Sequence, residues 1–332
     1  MSLSRTRFLG LAAAACALPL RVRAQDEFDP ASNSKRPALR VLLGAGDATP
    51  APGGFTFRGR VYRGTYEVLP SSEVVNIVDL EQYLYSVVPH EMPPSWPQPA
   101  LQAQAVCART YVLQRSDPRR AYDLVPSEAD QVYDGLSSET PAGRNAVDAT
   151  AGQVIKYGNA YAQIAYSSCC GGHTESSAEA WTGGAVLPYL AGVECTYCSA
   201  SPYYRWETML DMDDVVRACG ARLQSIGTVQ SVRVSSVDPS GRARAFDLSG
   251  DSGTVTIKGA AFRLLLGGRV LRSLLVTSIK QEQNPLSLWF EGGGLGHGVG
   301  MCQWGARGLA QQGRSVTDIV AWYFPGTSVA AA

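Results

Sequence analysis

Five prolines lie close together, at positions 89, 93, 94, 97 and 99, and they constrain the fold more than any other feature of the sequence. A proline removes a backbone hydrogen bond from a helix interior and tends to kink or end the helix, and the residue before it is pushed towards extended backbone. Apolar residues with helical spacing precede the cluster in "VDLEQYLYSVV", where Asp79 is a candidate N-cap. The alanine-rich segment 99–115 follows and begins with a proline. The sequence therefore predicts two helices joined by a rigid elbow that holds Glu91.

The remainder of the chain is predicted to form short strands and a few helices. Apolar and polar residues alternate between glycine turns from "ALRVLLGAG" to "VYRGTYEVLP", which favours antiparallel strands. Further strands are expected at "AQIAYSS", "VQSVRVSSV" and "RAFDLSG", and a helix at "DMDDVVRACGARL". The sequence shows no internal repeat and no βαβ rhythm. We predict an α+β fold of mixed short antiparallel strands and helices around one catalytic cleft, over residues 38–328, with about 207–290 as a candidate subdomain.

The start of the chain has the pattern of an export signal. Two early arginines precede an apolar run from Phe8 to Leu20, which is too short for a membrane span, and the small-residue exit "VRA" follows. We predict a signal peptide of residues 1–24 and a disordered lead-in at 25–37. The export route (general secretory, twin-arginine or lipoprotein) stays open, because "SRTRFLG" is a degenerate twin-arginine start and Cys16 is a poor lipidation site. The mature protein is expected to lie outside the cytoplasm, without a transmembrane segment.

The charge pattern argues against nucleic acid as a partner. The formal net charge is zero, and the predicted signal peptide contributes four arginines and no acid to that sum. The mature chain is therefore slightly acidic, and it contains no basic run.

The cysteines suggest a metal site. Eight are present, and seven remain once Cys16 is removed, an odd number that argues against a framework of disulfides alone. Cys170 and His173 in "CCGGHT" are three apart, as are Cys195 and Cys198 in "CTYC", with about twenty residues between the pairs. This spacing is typical of a tetrahedral zinc site with three cysteines and one histidine. Four protein ligands close such a site, so the zinc would be structural.

The cysteine pattern leaves alternatives open. Cys195 and Cys198 could instead form a disulfide in an oxidising compartment. Cys169 is an adjacent alternative ligand for the metal. The other three, Cys107, Cys219 and Cys302, are interpreted as buried thiols or a bridge.

The glycine-rich stretch 292–300 matches neither the dinucleotide fingerprint nor a P-loop. It is either a tight loop or a segment whose glycines let His297 and backbone amides approach a ligand. The following "MCQWGARGLAQQG" predicts a helix start with Gln303 and Trp304 near that loop. Amide and aromatic groups occur in sugar-binding clefts and also in ordinary cores, so this pattern alone supports both interpretations.

Glu91 is the candidate for acid–base chemistry. A carboxylate in a tight, partly apolar loop has a raised pKa and can act as a general acid. The alternative is a glutamate that caps a helix or pairs with a cation, and the neighbouring His90 is similarly ambiguous. Other catalytic patterns fit poorly: the sequence has no HExxH and no GxSxG, and a Cys302–His297 pair lacks its supporting signature.

Four segments in order identify a resemblance: "LEQYLYSVVPHEMPPSWPQPALQAQAVCARTYVL", "SSCCGGHTESSAEAWTGG", "LPYLAGVECTYCSASPYYRW" and "GLGHGVGMCQWGARGLAQQG". Together they resemble the stage II sporulation protein D family (SpoIID/LytB), over roughly residues 40–328. The connecting "KGAAFRLLLG…LRS" is similar as well. The resemblance implies a lytic transglycosylase, periplasmic or cell-wall associated, that acts on peptidoglycan glycan strands, with a preference for strands stripped of their stem peptides.

The resemblance also assigns roles to residues. The family's catalytic glutamate lies in a P-x-E-M-P motif, which implies that Glu91 is the general acid and base here. Arg109, Tyr111, His297 and Gln303 are the implied substrate contacts, although Arg109 could equally form a structural ion pair. Some members resemble this chain in their cysteine and histidine cluster, which supports zinc. Cys302 departs from the family pattern, since serine is common at that position.

Three rival functions remain open at this level. A hydrolase would cut the same glycosidic bond with water. A non-catalytic wall-binding protein would stimulate a cell-wall amidase, which is thus a second candidate partner beside the glycan strands. A zinc amidase would need an open metal position, which four protein ligands do not leave.

Overall fold

The structure is a computed structural model, and it describes residues 20–22, 38–181, 186–282 and 286–332. Helices and small, mostly antiparallel sheets follow one another along the chain, which confirms the predicted α+β class. The predicted signal peptide and lead-in lie outside the described residues, apart from a three-residue strand, β1, at Leu20–Val22. None of the described helices combines the length and the apolar character that a membrane crossing needs.

Two small antiparallel sheets form the first part of the chain. Their strands are β2 (Ala38–Ala45), β3 (Ala48–Ala51), β4 (Gly54–Phe57), β5 (Arg60–Tyr62), β6 (Thr65–Val68) and β7 (Glu73–Asp79). Strand β7 lies between β6 and β2 in one sheet, with β1 at the β6 edge, and β3, β4 and β5 form the other. Val41, Phe55 and Val74 are fully buried on the inner faces and contribute to the larger of two cores.

The predicted elbow is confirmed. Helix α1 (Leu80–Glu91) starts directly after β7, because the Asp79 side chain accepts hydrogen bonds from two amides of its first turn. It ends where Met92 becomes extended and two prolines follow. Helix α2 (Gln98–Arg115) then begins with Pro97 at its N-cap. Glu91 is the last residue of α1 rather than a loop residue, because the helix continues through Pro89 and only the later prolines form the elbow.

The chain then folds around α2, which is buried along most of its length. The next elements are α3 (Pro141–Ala149), β8 (Gln153–Tyr157), β9 (Ala160–Tyr161), β10 (Tyr166–Ser167) and α4 (Ser177–Ala180). Short 3₁₀ helices lie at Gly135–Ser138, Pro188–Leu190, Thr196–Cys198 and Gly220–Leu223.

A second core occupies the middle of the chain and draws its buried side chains from residues 206–290. Its elements are β11 (Trp206–Asp211), α5 (Met212–Cys219), β12 (Val229–Val237), β13 (Ala243–Gly250), β14 (Gly253–Lys258), α6 (Gly259–Leu266), β15 (Leu275–Glu282) and β16 (Ser287–Gly293). The predicted α5 helix and the predicted strands β12 and β13 are confirmed. Two three-stranded antiparallel sheets, β11-β16-β15 and β12-β13-β14, enclose this core.

The end of the chain returns to the first core. Its elements are β17 (Met301–Cys302), α7 (Gln303–Gln311), α8 (Val316–Tyr323) and β18 (Ser328–Ala331). Helices α7 and α8 pack against α2, and β18 joins β8. Strand β17 pairs in parallel with β10, with Cys302 opposite Ser167. This pairing places the second half of the sequence motifs beside the elbow.

Candidate active site

The carboxyl group of Glu91 lies where helices α1, α2 and α7 meet. Its Oε2 accepts a hydrogen bond from Nε2 of Gln303 at 3.1 Å. The same amide nitrogen donates to Oε1 of Gln104 on α2 at 3.3 Å. Because Gln104 is fully buried, this amide pair is held from within the core rather than from solvent. Side chains from three helices therefore fix the carboxyl group.

A tyrosine provides the second hydrogen bond to this carboxyl group. The Tyr166 hydroxyl bonds to Glu91. It also accepts a hydrogen bond from Nε2 of Gln131 at 2.8 Å, and Tyr83 donates to the other end of that amide at 3.2 Å. Since the Gln131 amide uses an acceptor position of the hydroxyl, the Tyr166 O–H proton is left for the carboxylate.

Burial raises the pKa of Glu91, which favours the protonated acid. The hydrogen bonds from Gln303 and Tyr166 lower the pKa in part, and the negative charge of Glu128 raises it further. No cationic side chain in the described part of the chain forms an ion pair with Glu91. An acid that meets only neutral donors keeps its proton to higher pH, as a general acid must.

Two partly exposed tryptophans lie near the elbow. Trp96 belongs to the segment between α1 and α2, and Trp304 follows Gln303 on α7; their rings meet edge to face at 4.9 Å. The Arg307 guanidinium covers Trp304 at 4.8 Å. Such amphipathic aromatic surfaces are suited to sugar rings, which present apolar faces and polar edges.

Arg109 is not a substrate contact, and the alternative of a structural ion pair is correct. The side chain is fully buried, and its Nε and Nη2 bind both carboxylate oxygens of Glu81 at 2.9 and 2.5 Å. Nη1 donates to the backbone carbonyl of Gln153 at 2.9 Å. All three nitrogens are therefore engaged inside the core, where no sugar can reach them.

Tyr111 and His297 lie around the candidate acid without touching it. The Tyr111 hydroxyl donates to Asp130 at 2.9 Å, and its ring lies under the Arg115 guanidinium. The His297 ring packs against Trp181 at 5.7 Å and hydrogen-bonds the backbone of Tyr166. Burial lowers the pKa of His297 to about 4, so the ring is neutral at physiological pH. Their roles as substrate contacts remain predictions, whereas Gln303 contacts Glu91 directly.

The glycines of 292–300 permit close packing of the backbone. Gly300 has φ of +72°, and a Cβ there would lie 2.1 Å from the carbonyl oxygen of Ala165. Gly298 has φ of +81°, and a Cβ would lie 2.4 Å from Nη2 of Arg242. Side chains at these positions would push the segment away from β10 and from Arg242.

Four buried cysteines form a cluster beside α7. The sulfur atoms of Cys170, Cys195, Cys198 and Cys302 all lie within 4.8 Å of one another. Those of Cys170 and Cys198 are 3.6 Å apart, and Cys195 and Cys198 are free thiols. Hydrogen bonds from Cys170 and Cys198 lower the pKa of Cys195, which favours a thiolate in the cluster.

The composition of this cluster corrects the predicted ligand set in one position. His173 is not part of it; its Nδ1 lies 2.6 Å from the carbonyl oxygen of Thr174. Gly171 and Gly172, both with positive φ, turn the chain away after Cys170. Cys302 takes the fourth place, because the parallel pairing of β10 and β17 brings it alongside. Its sulfur accepts hydrogen bonds from the amides of Cys170 and Gly305.

The four sulfurs suit a tetrahedral thiolate site. Sulfurs bound to zinc at about 2.3 Å are about 3.8 Å apart in a regular tetrahedron. The observed separations, 3.6 Å for Cys170–Cys198 and none above 4.8 Å, are close to that arrangement. Four cysteines would leave no open position, and the donor set is one that zinc prefers.

Sequence reasoning missed three polar partners of the site. Gln104 and Gln131 are buried, Tyr166 is partly buried, and all three are hydrogen-bonded around Glu91 or its tyrosine partner. For Gln104 there was a signal, since a glutamine in an otherwise apolar stretch of the alanine-rich helix must find a partner. Gln131 lies in an irregular segment, and its place depends entirely on tertiary packing.

The chain was compared with known families and proteins. A family described as Stage II sporulation protein (SpoIID) matches residues 70–157, which include α1, Glu91 and α2. A domain of unknown function, DUF8618, matches residues 189–300.

Individual relatives extend the similarity. An uncharacterized protein of Brachyspira hyodysenteriae is 34% identical over 282 residues, covering 83% of this chain and 74% of that protein. The amidase enhancer of Bacillus subtilis is 30% identical, covering 74% of this chain and 40% of that protein. Stage II sporulation protein D of Bacillus amyloliquefaciens is 29% identical, covering 79% of this chain and 77% of that protein.

Fold and site together define a class of α+β proteins with a partly buried acid at a helix elbow. Within that class, the chain belongs to the stage II sporulation protein D (SpoIID/LytB) family.

Proposed function

We propose that this protein is a lytic transglycosylase that cleaves the bond between N-acetylmuramic acid and N-acetylglucosamine in peptidoglycan. One observation supports it above the others: Glu91 is a partly buried acid held by the neutral donors Gln303 and Tyr166, with a raised pKa. Family membership supports a role at the cell wall. The acid would act outside the cytoplasm, on glycan strands, with preference for strands free of stem peptides.

The first step is proton donation by Glu91. The protonated carboxyl group gives its proton to the glycosidic oxygen, and the C1–O bond of the muramic sugar breaks as an oxocarbenium-like state develops. Oε2 accepts the hydrogen bond from Gln303 and is therefore the carbonyl oxygen of the protonated carboxyl group. The acidic proton then belongs on the other oxygen, Oε1. The amide thus orients the acid towards the substrate.

The second step uses the same carboxylate as a base. Ionised Glu91 takes the proton of the muramic 6-hydroxyl, whose oxygen forms the new bond to C1 and gives a 1,6-anhydro end. No water is consumed, and Glu91 is protonated again. The hydrogen bonds from Gln303 and Tyr166 stabilise the ionised intermediate, so one carboxyl group suffices for both steps.

We also propose that the four-cysteine cluster holds a structural zinc ion. Cys170, Cys195, Cys198 and Cys302 would be its ligands, and a closed thiolate site supplies folding stability rather than a reactive water. Cys302 directly precedes Gln303, and its sulfur caps the start of α7. Fixing this cysteine therefore fixes the amide that orients Glu91.

The ligand set is tested by metal content. Zinc bound per purified chain should be close to one in the wild type and should fall sharply in Cys302→Ser. His173→Ala is the matched control, because His173 lies outside the cluster, and it should retain the metal. Loss of zinc in His173→Ala with full zinc in Cys302→Ser would restore the ligand set expected from the sequence.

The reaction is tested by the mass of the products. Peptide-stripped glycan strands and intact peptidoglycan are incubated with the wild type and with Glu91→Gln. A transglycosylase should give products that are one water lighter than the reducing sugars a hydrolase would release. The rate of their formation should be about 10³-fold lower in the variant. Folding of the variant is checked by circular dichroism and strand binding.

Two alternatives give different results in the same assay. A hydrolase would release full-mass reducing sugars, and the exposed Glu128, whose charge already acts on Glu91, would be its candidate second carboxylate. The similarity to an amidase enhancer supports a wall-binding partner of an amidase. In that case neither substrate is cut, while strand binding is the same in wild type and variant.

A further inference from the structure

A polar cavity lies beside the start of α6 and is lined in part by His297. Its volume is about 360 Å³, which is within the range of small-molecule sites. Trp181 and His297 form part of its wall, with their rings in contact at 5.7 Å. The cavity is therefore bounded on one side by an aromatic surface.

The start of helix α6 supplies positive charge to this cavity. Lys258 is the N-cap residue, and its side chain makes no hydrogen bond to the first turn, so it does not cap the amides that carry the partial positive charge of the helix. Lys258, Ala260 and Arg263 all line the cavity. Arg263 bonds two backbone carbonyls through Nε and Nη2 and has no acidic partner among the described residues.

The acidic groups of the cavity do not neutralise these cations. Glu179 is engaged by Arg244. Glu175 and Asp238 both accept a hydrogen bond from the Ser240 hydroxyl, at 2.9 and 2.7 Å. Burial and then Asp238 raise the pKa of Glu175 to about 7, so it is only partly ionised at neutral pH.

A buried arginine provides an independent sign of a missing ligand. Arg242 is 2% exposed and lines the cavity, and its Nη1 and Nη2 bond backbone carbonyls of His173 and Cys170. Its Nε has no hydrogen-bond partner, and Glu175 lies 4.0 Å away. Four cationic side chains, including Lys258, thus face three carboxyl groups in this cavity, which suits an anion.

The cavity is connected to the candidate acid through one residue. His297 bonds the backbone of Tyr166, and the hydroxyl of the same tyrosine bonds Glu91. Tyr166 therefore links the cavity wall to the candidate acid. A glycan strand whose bond lies at Glu91 would bring a neighbouring sugar to the cavity.

We propose that this cavity is a subsite for a carboxylate-bearing sugar, in which Arg263, Lys258 and the start of α6 bind the free lactyl carboxylate of N-acetylmuramic acid. The inference rests on the proposed function, because it takes its ligand from the same strand. Removal of a stem peptide converts an uncharged amide at the lactyl group into a carboxylate. A cationic subsite therefore distinguishes stripped strands from intact ones by charge.

The test measures binding in the Glu91→Gln background, where strands are not cut. The probes are stripped glycan oligosaccharides and the same oligosaccharides with their lactyl carboxylates converted to carboxamides. Arg263→Gln should weaken binding of the carboxylate form by about tenfold or more and leave binding of the carboxamide form unchanged. Arg217→Gln on α5, exposed and outside the cavity, is the matched control and should change neither.

A second variant covers the case in which Arg263→Gln disturbs α6, since Arg263 bonds two carbonyls. Lys258 is exposed, so Lys258→Gln should keep the melting temperature and still weaken binding of the carboxylate form. The proposal is overturned if both variants lose affinity equally for the two probes, or if neither variant loses affinity for either probe. Competition by free lactate as strong as that by the oligosaccharide also overturns it, because the cavity would then bind any small carboxylate.

The same experiment separates this inference from the proposed function. Carboxylate-dependent binding without any cleavage by the wild-type protein would support the subsite and reject the transglycosylase. Cleavage to anhydro products with carboxylate-independent binding would reject the subsite alone.

Discussion

Helix α1 carries two largely buried glutamates, and the protein treats them in opposite ways. Glu81, near its start, meets the Arg109 guanidinium with both oxygens and also accepts a hydrogen bond from the amide of Gly152 at 3.2 Å. Glu91, at its end, meets only the Gln303 amide and the Tyr166 hydroxyl. The two glutamates are ten residues apart on one helix, and only Glu81 is paired with a buried cation.

The difference shows how a core can hold either a fixed charge or a mobile proton. A guanidinium and a carboxylate in the interior satisfy each other only when both are present. A carboxyl group with neutral donors alone has no such counter-charge, and its burial raises its pKa. The first arrangement ties α1 to α2, and the second supplies an acid.

The largest expected effect comes from removing the charge at the start of α1. Glu81→Gln leaves Arg109 buried without a counter-charge, so the free energy of unfolding should fall by about 3–5 kcal/mol in urea denaturation. Glu81→Gln combined with Arg109→Met should recover part of the loss. A decrease below about 1 kcal/mol for the single variant would show that Arg109 can reach solvent, contrary to its burial.

A smaller effect is expected from the amide partner at the end of α1. Its hydrogen bond lowers the pKa of Glu91, so Gln303→Met should raise that pKa further. Activity that needs protonated Glu91 declines as pH rises through its pKa, and this decline should therefore begin at higher pH in the variant. The maximal rate should fall by about tenfold, since the ionised intermediate loses a donor.

The pH profile of cleavage between pH 4 and 9 measures this shift. Gln311→Met, exposed at the end of the same helix α7, is the control and should leave the profile unchanged. An alkaline decline that moves to lower pH would contradict the assigned role of Gln303.

The comparison also shows what sequence could predict. The prolines and the helical spacing around them specify the elbow locally, so the position of Glu91 at a helix–helix junction follows from the chain itself. Whether Arg109 faces a sugar or Glu81 does not follow, because both alternatives place an arginine on the same helix. Only the burial of α2 between other elements decides it.

The fourth cysteine illustrates the same limit. Regular spacing predicted Cys170, Cys195 and Cys198 together, and the structure brings these three into one cluster. The next ligand by spacing was His173, but a two-glycine turn and a strand pairing across more than a hundred residues select Cys302 instead. The available signal was that Cys302 departs from the serine that the resemblance implied, and it pointed to the chemistry only once the pairing was known.

Replacing Glu91 at the end of α1 with glutamine should raise the stability of the fold at neutral pH, whereas the same replacement of Glu81 at the start should lower it. The folded-state pKa of Glu91 is raised, so its contribution to stability is present at low pH and lost as pH rises through that pKa. Glutamine stays neutral, so Glu91→Gln should melt a few degrees higher than the wild type at neutral pH and at the same temperature at pH 3. Calorimetry at both pH values measures it, and a lower melting temperature at neutral pH would mean that ionised Glu91 is stabilised by its surroundings.

The smallest effect is expected from Glu128, the acidic neighbour of Glu91. Its negative charge raises the pKa of Glu91, so Glu128→Gln should lower that pKa and move the alkaline decline of activity slightly to lower pH. The shift should be small and should shrink with added salt, because Glu128 is exposed and its field is screened. Opposite shifts in Glu128→Gln and Gln303→Met would show that both groups act on one titrating acid. If Glu128→Gln instead abolished cleavage, Glu128 would itself take part in the chemistry, and the single-acid site that distinguishes Glu91 from Glu81 would become a two-carboxylate site of the kind that hydrolases use.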